Sequence, residues 1–276
     1  MKTNLSILTG TLMILFLVPA LATGQSLVEQ IGNGSINWSE GFIQAKGIGV
    51  PPEDSYGKPQ ARPLALRAAK LDALRNILEV VKGVRIDSAT IVKDFEVQSD
   101  IIMSKVEGMV RGARQVKQEY MSDGTVEVVM QVNMQGGFAQ LVLPQDIKQV
   151  ESITPATPAQ KSTGVYTGLV VDARGLSARP AMAPKLLDEQ GQEIYGSAFV
   201  SREYAVQQGM AGYAKNPMTA QSNQRVADNP LTVKGLRTEG PGLSDIVISN
   251  SDASRLRNAS EHLSFLKKCR VMIVVD

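Results

Sequence analysis

Residues 125–134, TVEVVMQVNM, carry the clearest pattern in the chain. Apolar and polar side chains alternate there, and successive side chains of a β-strand point to opposite faces of its sheet. Residues 110–120 can form an antiparallel arm beside this strand, because Ser122-Asp123-Gly124 between the two is a typical turn. The pattern therefore predicts a hairpin with one buried face. The side chains predicted on that face are Val126, Val128, Met130, Val132 and Met134.

A helix is predicted upstream of this hairpin, from Pro63 to Gly83. Proline suits the first helical turn, and glycine suits the left-handed residue that ends a helix. Apolar residues recur at spacings of three and four, which places them on one face of the helix. The alanines among them would let the helix lie close to a sheet. The residues of this face are Leu66, Ala69, Ala73, Ile77 and Val80.

Two further strands and a short helix complete the first domain. Residues 36–45 are predicted as one strand, residues 47–49 as the turn that ends it, and residues 84–92 as another strand. Ser99 can cap a short helix that continues to about Glu107. We therefore predict residues 30–143 to be a β-α-β-β domain, with a helix packed on an antiparallel sheet.

A linker and a second domain are predicted after residue 143. Residues 144–163 are rich in proline and threonine, which favours an extended connection. Residues 164–276 contain continuous apolar runs, which are typical of strands covered on both faces. The runs are 169–171, 246–248 and 271–275, with helices predicted at 200–210 and 251–259 and a turn at 188–191. We predict a C-terminal α/β sandwich with the last strand in the middle of its sheet, and an α+β fold overall.

The N-terminus has the pattern of a cleavable export signal. Lys2 precedes the apolar run 12–18, and Ala20-Leu21-Ala22 supplies the small residues that a signal peptidase accepts. We predict a signal peptide at residues 1–22 with cleavage after Ala22, while cleavage after Gly24 and an uncleaved anchor are the alternatives. No cysteine follows the apolar run to accept a lipid. The mature chain is expected in the periplasm without a direct membrane anchor, so that any outer-membrane association is made through protein contacts.

The composition argues against catalysis. The formal net charge is +2, which gives no reason to expect nucleic acid as a partner. His262 is the only histidine, which excludes two-histidine metal sites and paired-histidine acid–base sites. Cys269, the only cysteine, could formally pair with His262, but a small residue at a strand edge is the simpler interpretation. We predict no catalytic residues, no cofactor, no metal and no enzymatic activity.

Asp172 and Arg174 are the candidate contact residues for a ligand or partner. They follow the apolar run 169–171, and the carboxyl ends of such strands are where open α/β sheets bind ligands. The alternative is that the two side chains satisfy hydrogen bonds of a turn or pair with each other.

Several segments of the first domain together resemble a known family. They are residues 38–41 (WSEG), 45–49 (AKGIG), 67–79 (RAAKLDALRNILE), 83–84 (GV) and 123–128 (DGTVEV). Over roughly residues 35–135 the chain looks like the N-terminal domain of the flagellar assembly protein T family and the small surface lipoproteins related to it. The resemblance implies a β-α-β-β unit and a non-catalytic role. Members of the flagellar group build the ring around the motor, and the lipoproteins sit on the envelope.

These expectations combine into one leading function and one alternative. The leading hypothesis is an exported, non-enzymatic cell-envelope protein that acts in assembly or scaffolding, with the flagellar basal body as one candidate structure. Its expected partners are envelope or flagellar proteins, and a ring role would require self-association. The alternative is a periplasmic small-ligand-binding module that uses Asp172 and Arg174 of the C-terminal domain.

Overall fold

The computed structural model describes residues 25–147, 166–258 and 263–276. These residues form two β-sheets, each packed against helices. The predicted α+β fold with two domains is therefore confirmed. The predicted signal peptide with its cleavage site at Ala22, most of the predicted linker and His262 lie outside the described residues.

The N-terminal domain is a five-stranded antiparallel sheet with one long helix against it. Its strands are β1 (Val28–Ile31), β2 (Gly34–Asn37), β3 (Phe42–Gly49), β4 (Arg114–Tyr120) and β5 (Val126–Asn133), in the spatial order β1-β2-β3-β5-β4. Its helices are α1 (Ala61–Lys82), α2 (Phe95–Gln98), α3 (Asp100–Arg111) and α4 (Gly137–Val142), with 3-10 turns at Glu53–Ser55 and Val92–Asp94.

The predicted hairpin and both predicted helices of this domain are present. Strands β4 and β5 pair in antiparallel register, with a bulge between Gln115 and Lys117. All five apolar side chains predicted on the inner face of residues 125–134 are buried. The hydroxyl of Ser99 accepts a hydrogen bond from the Ile102 amide at the start of α3, as predicted, although the helix continues beyond Glu107 to Arg111.

The contact between α1 and β3 depends on small residues on both sides. Ala65, Ala69 and Ala73 of α1 are fully buried. A Cβ added at Gly47 would lie 2.2 Å from the Ala69 carbonyl oxygen, and one added at Gly49 would lie 2.0 Å from the Ala65 carbonyl oxygen. Because these neighbours are backbone atoms, no side-chain rotation could relieve the overlap. The helix can therefore lie on the strand only where glycine alternates along β3 and alanine recurs every fourth residue along α1.

Four local predictions for this domain are wrong. Residues 36–45 are not one strand, because residues 38–41 form a turn that separates β2 from β3. Residues 47–49 belong to β3 rather than to a turn, since their glycines accommodate the helix. Residues 84–92 make only an isolated bridge between Arg85 and Ile91. In addition, Gly83 ends α1 with φ −83°, so its left-handed conformation was also wrongly predicted.

The C-terminal domain contains a seven-stranded mixed sheet with short helices. Its strands are β6 (Gly168–Asp172), β7 (Leu186–Leu187), β8 (Glu193–Tyr195), β9 (Gly212–Ala214), β10 (Pro230–Glu239), β11 (Asp245–Ile248) and β12 (Val271–Val274), in the order β8-β7-β11-β10-β6-β12-β9. Its helices are α5 (Arg202–Gln208), α6 (Pro217–Gln221), α7 (Asn250–Asn258) and α8 (Leu263–Lys267), with a 3-10 turn at Ser197–Phe199.

The three predicted apolar strands are β6, β11 and β12, and their apolar side chains are buried. The predicted turn at 188–191 joins β7 to β8, where the Asp188 carboxylate accepts hydrogen bonds from two backbone amides. Strand β12 has parallel neighbours on both sides, but it lies next to the edge strand β9. The centre of the sheet is β10, which was not predicted from the sequence, because only Leu231 and Val233 mark its inner face before Gly235 interrupts the alternation.

The start of the predicted linker is packed against the C-terminal domain. Ile147 is 2% exposed, and the Ser197 hydroxyl donates a hydrogen bond to Asp146. The Pro144 carbonyl oxygen accepts one from the Arg202 guanidinium. Among the described residues, no helix combines the length and the apolar character needed to cross a membrane.

Candidate functional site

The two side chains proposed as ligand contacts lie at the carboxyl end of β6 and bind each other. The Arg174 guanidinium donates to both carboxylate oxygens of Asp172, at 2.8 and 2.7 Å. This contact, which outweighs the opposing effect of burial, holds the pKa of Asp172 below its ordinary value. The next backbone amide, of Gly175, donates to Asp276 at the end of the chain. A ligand at this edge would have to compete with an existing bidentate ion pair.

Cys269 is buried between α8 and β12. Burial raises the pKa of its thiol to about 11, despite a hydrogen bond from Tyr195 and the nearby positive charge of Arg225 that act in the other direction. The thiol is therefore protonated at neutral pH, and only the thiolate is a good nucleophile. Cys269 was interpreted as a small residue at a strand edge, and it lies two residues before the start of β12.

The most extensive polar cluster joins the two domains. The Glu29 carboxylate, on the inner side of β1, binds the guanidinium of Arg85 with both oxygens, at 3.0 and 2.5 Å. Arg179 of the C-terminal domain donates to the same carboxylate at 3.3 Å. Arg85 is only 6% exposed, and its Nε donates to the Pro180 carbonyl oxygen of the C-terminal domain at 2.8 Å. We call this contact region between the two domains, around Glu29, Arg85 and Arg179, the joint. One carboxylate is therefore shared by two arginines, one from each domain.

Aromatic side chains extend this cluster. The Trp38 indole donates to Glu29 at 3.0 Å, and Arg85 lies 5.7 Å from the centre of the same ring. Tyr213 packs edge-on against Trp38, with ring centres 5.8 Å apart. The Tyr213 hydroxyl donates to the Ala181 carbonyl oxygen at 2.7 Å and accepts from the Ala181 amide at 3.0 Å. Each polar tip of these buried rings is therefore satisfied.

These contacts set the ionisation of Glu29. Burial alone would raise the pKa of its carboxyl. The hydrogen bonds from Arg85 and Trp38, with the positive charge of Arg85, outweigh that effect and hold the pKa below its ordinary value of 4.5. Glu29 is therefore ionised at neutral pH and neutralises one of the two arginines.

A loop of the N-terminal domain docks beside this cluster. The Ser88 hydroxyl donates to the buried Asp245 carboxylate at 2.5 Å, and the Gly242 amide donates to the Ser88 carbonyl oxygen at 2.6 Å. A Cβ at Gly240 would lie 2.5 Å from the Ser88 side chain, so the loops meet where glycine leaves room. Burial raises the pKa of Asp245 above its ordinary value, against the lowering effect of the Ser88 hydrogen bond.

Main-chain hydrogen bonds also cross the joint. The amides of Met182 and Ala183 donate to the carbonyl oxygens of Arg85 and Ile86, at 3.0 and 2.7 Å. At the far side of the joint, the Gly136 amide donates to the Val206 carbonyl oxygen at 2.7 Å. Main-chain hydrogen bonds therefore connect the two domains, and one hydrophobic cluster contains buried side chains from both of them.

A small cavity of about 50 Å³ lies within the joint, beside Trp38, Tyr213 and Arg225. The Arg225 guanidinium donates to the carbonyl oxygens of Gly209 and Cys269, at 3.0 and 2.9 Å, and to that of Gln208. Cations are favourable at a helix C-terminus, and α5 ends at Gln208. Arg225 therefore caps the end of this helix. The cavity beside it has room for only a few water molecules.

A larger groove of about 430 Å³ opens at the surface of the joint. One wall belongs to the N-terminal domain and includes Arg85, Asp87 and Asp94. The other wall belongs to the C-terminal domain and includes Arg179 and Gly242. Within the described ranges, no three acidic, histidine or cysteine side chains come together in a way that could hold a metal ion.

No local pattern in the sequence predicted this joint. Its charged residues, Glu29, Arg85 and Arg179, are separated by many positions and belong to no local motif. Trp38 was interpreted as a core aromatic and is indeed only 5% exposed, but it also packs against Tyr213 of the other domain. The only signal available was that Arg85 lies in an otherwise apolar segment, Val84 to Ile86, where a charge needs a partner.

Comparison with known proteins gives a match in the second half of the chain. A family model described as the second domain of Treponema pallidum Tp0624 matches residues 168–276, which is less than half of the chain. These residues begin at β6 and include the whole seven-stranded sheet. No curated protein matches the chain.

The predicted resemblance to the flagellar assembly protein T family and the related surface lipoproteins is wrong. No model of either family matches, and the match that is found lies in the other domain. The segments that suggested the resemblance have local physical roles: residues 38–41 form a hairpin turn, and residues 67–79 belong to the helix that packs on the glycines of β3. Short motifs of this kind can recur wherever a helix packs closely on a hairpin.

Proposed function

We propose that this chain is an exported, non-enzymatic protein of the cell envelope that acts in assembly or scaffolding through protein contacts. The observation that supports it is the joint, where Glu29, Arg85 and Arg179 connect the two sheets. Domains of one chain usually move relative to each other unless their interface is large and well packed. A joint with a shared core and a buried ion pair can hold two surfaces in a fixed relation, as a scaffold requires.

The groups that could carry chemistry also favour this proposal, because they are already used in structural contacts. Asp172 is paired with Arg174, Asp245 accepts from Ser88, and the thiol of Cys269 is buried and protonated. A catalytic group needs a pKa matched to its task and access to a substrate. The flagellar role rested on the resemblance that proved wrong, and it is not part of the proposal.

Exposed apolar side chains at the end of the N-terminal sheet provide a surface where contacts can be sought. Tyr120 at the end of β4 is 49% exposed, and Tyr56 is 51% exposed. The turn between β4 and β5 lies beside Tyr56, since a Cβ at Gly124 would be 4.0 Å from its ring. Tyrosine is enriched in protein interfaces. This turn lies at the Gly49 end of β3, because Gly49 pairs with Val126. The other end of β3 leads to the joint, where the Ser39 hydroxyl donates to the Tyr213 carbonyl oxygen.

Gene deletion with complementation tests the proposal. We expect deletion to make the envelope more permeable to detergent, and the wild-type gene to restore the barrier. A photo-crosslinking residue at Tyr120 should capture an envelope protein in living cells, whereas the same residue at the exposed Lys105 of α3 should not. An intact barrier after deletion, together with no captured protein at Tyr120, would contradict the proposal. The mass of the purified protein in solution would test self-association.

The alternative function, binding of a small ligand by Asp172 and Arg174, stays a prediction. A thermal-shift screen compared with Asp172→Ala tests it. A ligand-induced shift that disappears in Asp172→Ala would support that alternative.

A further inference from the structure

The groove at the joint has the size and position of a small-molecule site. Its volume of about 430 Å³ lies within the range of about 300–1,000 Å³ that is usual for ligand pockets, and such pockets prefer boundaries between domains. Both domains contribute to it: residues 83–94 form one wall, and Arg179, Pro241 and Gly242 form the other. A ligand in the groove would therefore contact loops of both domains.

Arg179 gives the C-terminal wall a positive charge. Its guanidinium is half exposed, and a single hydrogen bond of 3.3 Å connects it to Glu29. Glu29 already binds Arg85 with both oxygens, so one negative charge faces two positive charges. In the described part of the chain, Arg179 has no other carboxylate within ion-pair distance. Its guanidinium therefore has N–H groups left that could donate hydrogen bonds to a carboxylate.

Asp87 and Asp94 give the N-terminal wall negative charge. The Asp87 Oδ1 atom accepts hydrogen bonds from the amides of Ala89 and Thr90, at 2.8 Å each. The Asp94 Oδ2 atom accepts one from the Ile91 amide at 2.8 Å. These bonds fix the orientation of both carboxylates and leave the second oxygen of each without a partner among the described residues. Neither carboxylate makes an ion pair there, although each lines the same groove as Arg179.

We infer that the groove binds a small zwitterion, namely an α-amino acid or a short peptide with free ends. Its carboxylate would contact Arg179, and its ammonium group would contact Asp87 and Asp94 on the opposite wall. A simple anion would meet two carboxylates, and a simple cation would meet the excess positive charge of Arg85 and Arg179. Only a ligand with both charges matches both walls. The inference does not depend on the proposed scaffolding role.

Titration calorimetry on the purified full chain tests this inference with three probes. L-alanyl-L-alanine carries both charges, N-acetyl-L-alanyl-L-alanine lacks the ammonium group, and L-alanyl-L-alanine amide lacks the carboxylate. We expect saturable binding of the free dipeptide, and binding at least about tenfold weaker for each blocked form, because each loses one charge-assisted contact. Absence of saturable binding of the free dipeptide up to about 10 mM would overturn the inference. Equal binding of all three probes would also overturn it.

Substitutions in the two walls assign the contacts. Arg179→Gln should weaken binding of the free dipeptide until it binds no more tightly than the amide form, since neither then makes the carboxylate contact. A double change of Asp87→Asn and Asp94→Asn should remove the advantage over the acetylated form, while the amide oxygens keep the loop hydrogen bonds. Dipeptide binding that is unchanged in both variants would overturn the assignment to this groove.

A matched control separates loss of binding from loss of folding. Arg255 on α7 is 50% exposed and paired with Asp252, so it resembles Arg179 in exposure and pairing. Arg255→Gln should bind the free dipeptide as the wild type does. Thermal unfolding of each variant without ligand should remain cooperative, and the cross-peaks of residues 87–94 in a titration followed by NMR should shift only with the free dipeptide.

Discussion

The two sheets of this protein are stabilised in opposite ways. In the N-terminal domain, α1 lies on β3 because Gly47 and Gly49 have no side chain where the helix backbone passes. In the C-terminal sheet, β6 and β12 are continuous apolar runs whose side chains fill the space on both faces. The first contact needs empty positions, and the second needs filled ones. Adding atoms should therefore damage the N-terminal domain, while removing atoms should damage the C-terminal one.

The joint between them follows a third principle, since it is polar. Glu29, Arg85 and Trp38 form a network in which each buried charged or polar group has a partner. Such networks tolerate the loss of one member poorly, because the remaining charge stays buried. Trp38 is the only tryptophan, so its fluorescence reports on the joint.

The largest effect should come from adding one carbon to the helix contact. In Gly47→Ala, the new Cβ would lie 2.2 Å from both the Ala69 carbonyl oxygen and the Ala73 amide nitrogen. Ordinary overpacking costs about 1–3 kcal/mol, and here backbone rather than side chains must move, so we expect a loss above about 4 kcal/mol. Urea unfolding followed by circular dichroism measures it.

The same substitution at Gly108 is the control. Gly108 lies inside α3, and nothing would come within 4 Å of its added Cβ. Gly108→Ala should stabilise the protein by about 0.5–1 kcal/mol, because alanine favours a helix. Equal effects of the two substitutions would refute the account of the α1–β3 contact.

The next largest effect should come from the joint. Glu29→Gln leaves Arg85 buried without a counter-charge, and removal of one partner from a buried pair costs about 3 kcal/mol or more. Glu119→Gln removes an exposed partner of Lys117 and should change the unfolding midpoint far less, because water screens the pair. Urea unfolding monitored by Trp38 fluorescence compares the two variants. Similar midpoints would show that the Glu29–Arg85 pair adds no more stability than an exposed ion pair does.

A cavity in the C-terminal sheet should have a smaller effect. Val171 of β6 is fully buried between two parallel neighbours, β10 and β12. Val171→Ala should cost about 2 kcal/mol, from the lost transfer of two methyl groups and the cavity that remains. Val129→Ala, on the partly exposed outer face of β5, should cost less than about 1 kcal/mol. A smaller loss at Val171 than at Val129 would contradict the comparison of the two sheets.

The strands and helices with strong periodicity could be predicted from the sequence. Apolar residues occupy every second position along β5, and the apolar face of α1 recurs at helical spacing, so both emerged from local patterns. Glycine was misleading at residues 47–49, because it usually marks a turn but here allows a helix to approach. Strand β10 was missed because its position at the sheet centre depends on partners far away in sequence.

The candidate site was much harder to predict than the fold. Asp172 and Arg174 were found because they are neighbours after a strand, and the structure places them in one bidentate pair. Glu29 and Arg179 are 150 positions apart and meet only because two sheets pack together. A local pattern carries no information about such a pair, since each residue alone has the character of an ordinary surface charge.

The smallest expected effect is on the pH dependence of stability, which should differ between two carboxylates of the joint, Glu29 and Asp245. The pKa of Glu29 is lowered, so its stabilising contribution is present above the unfolded value and is lost as pH falls through the folded value. The pKa of Asp245 is raised by burial, so its contribution is present at low pH and is lost as pH rises through the folded value. The penalty of Glu29→Gln should therefore fade on acidification towards pH 3.

Asp245→Asn should show the opposite trend. The asparagine cannot ionise, so its stability relative to the wild type should improve as the pH rises from 3 to 7. This trend adds to a pH-independent loss, because one amide oxygen replaces the two carboxylate oxygens that accept from Ser88 and from the Lys185 amide. We expect the pH-dependent change to stay below about 1 kcal/mol, which is smaller than that of a typical substitution. Urea midpoints measured across this pH range compare the two variants. Parallel trends would mean that the two carboxylates have the same environment, because only opposite pKa shifts give opposite slopes.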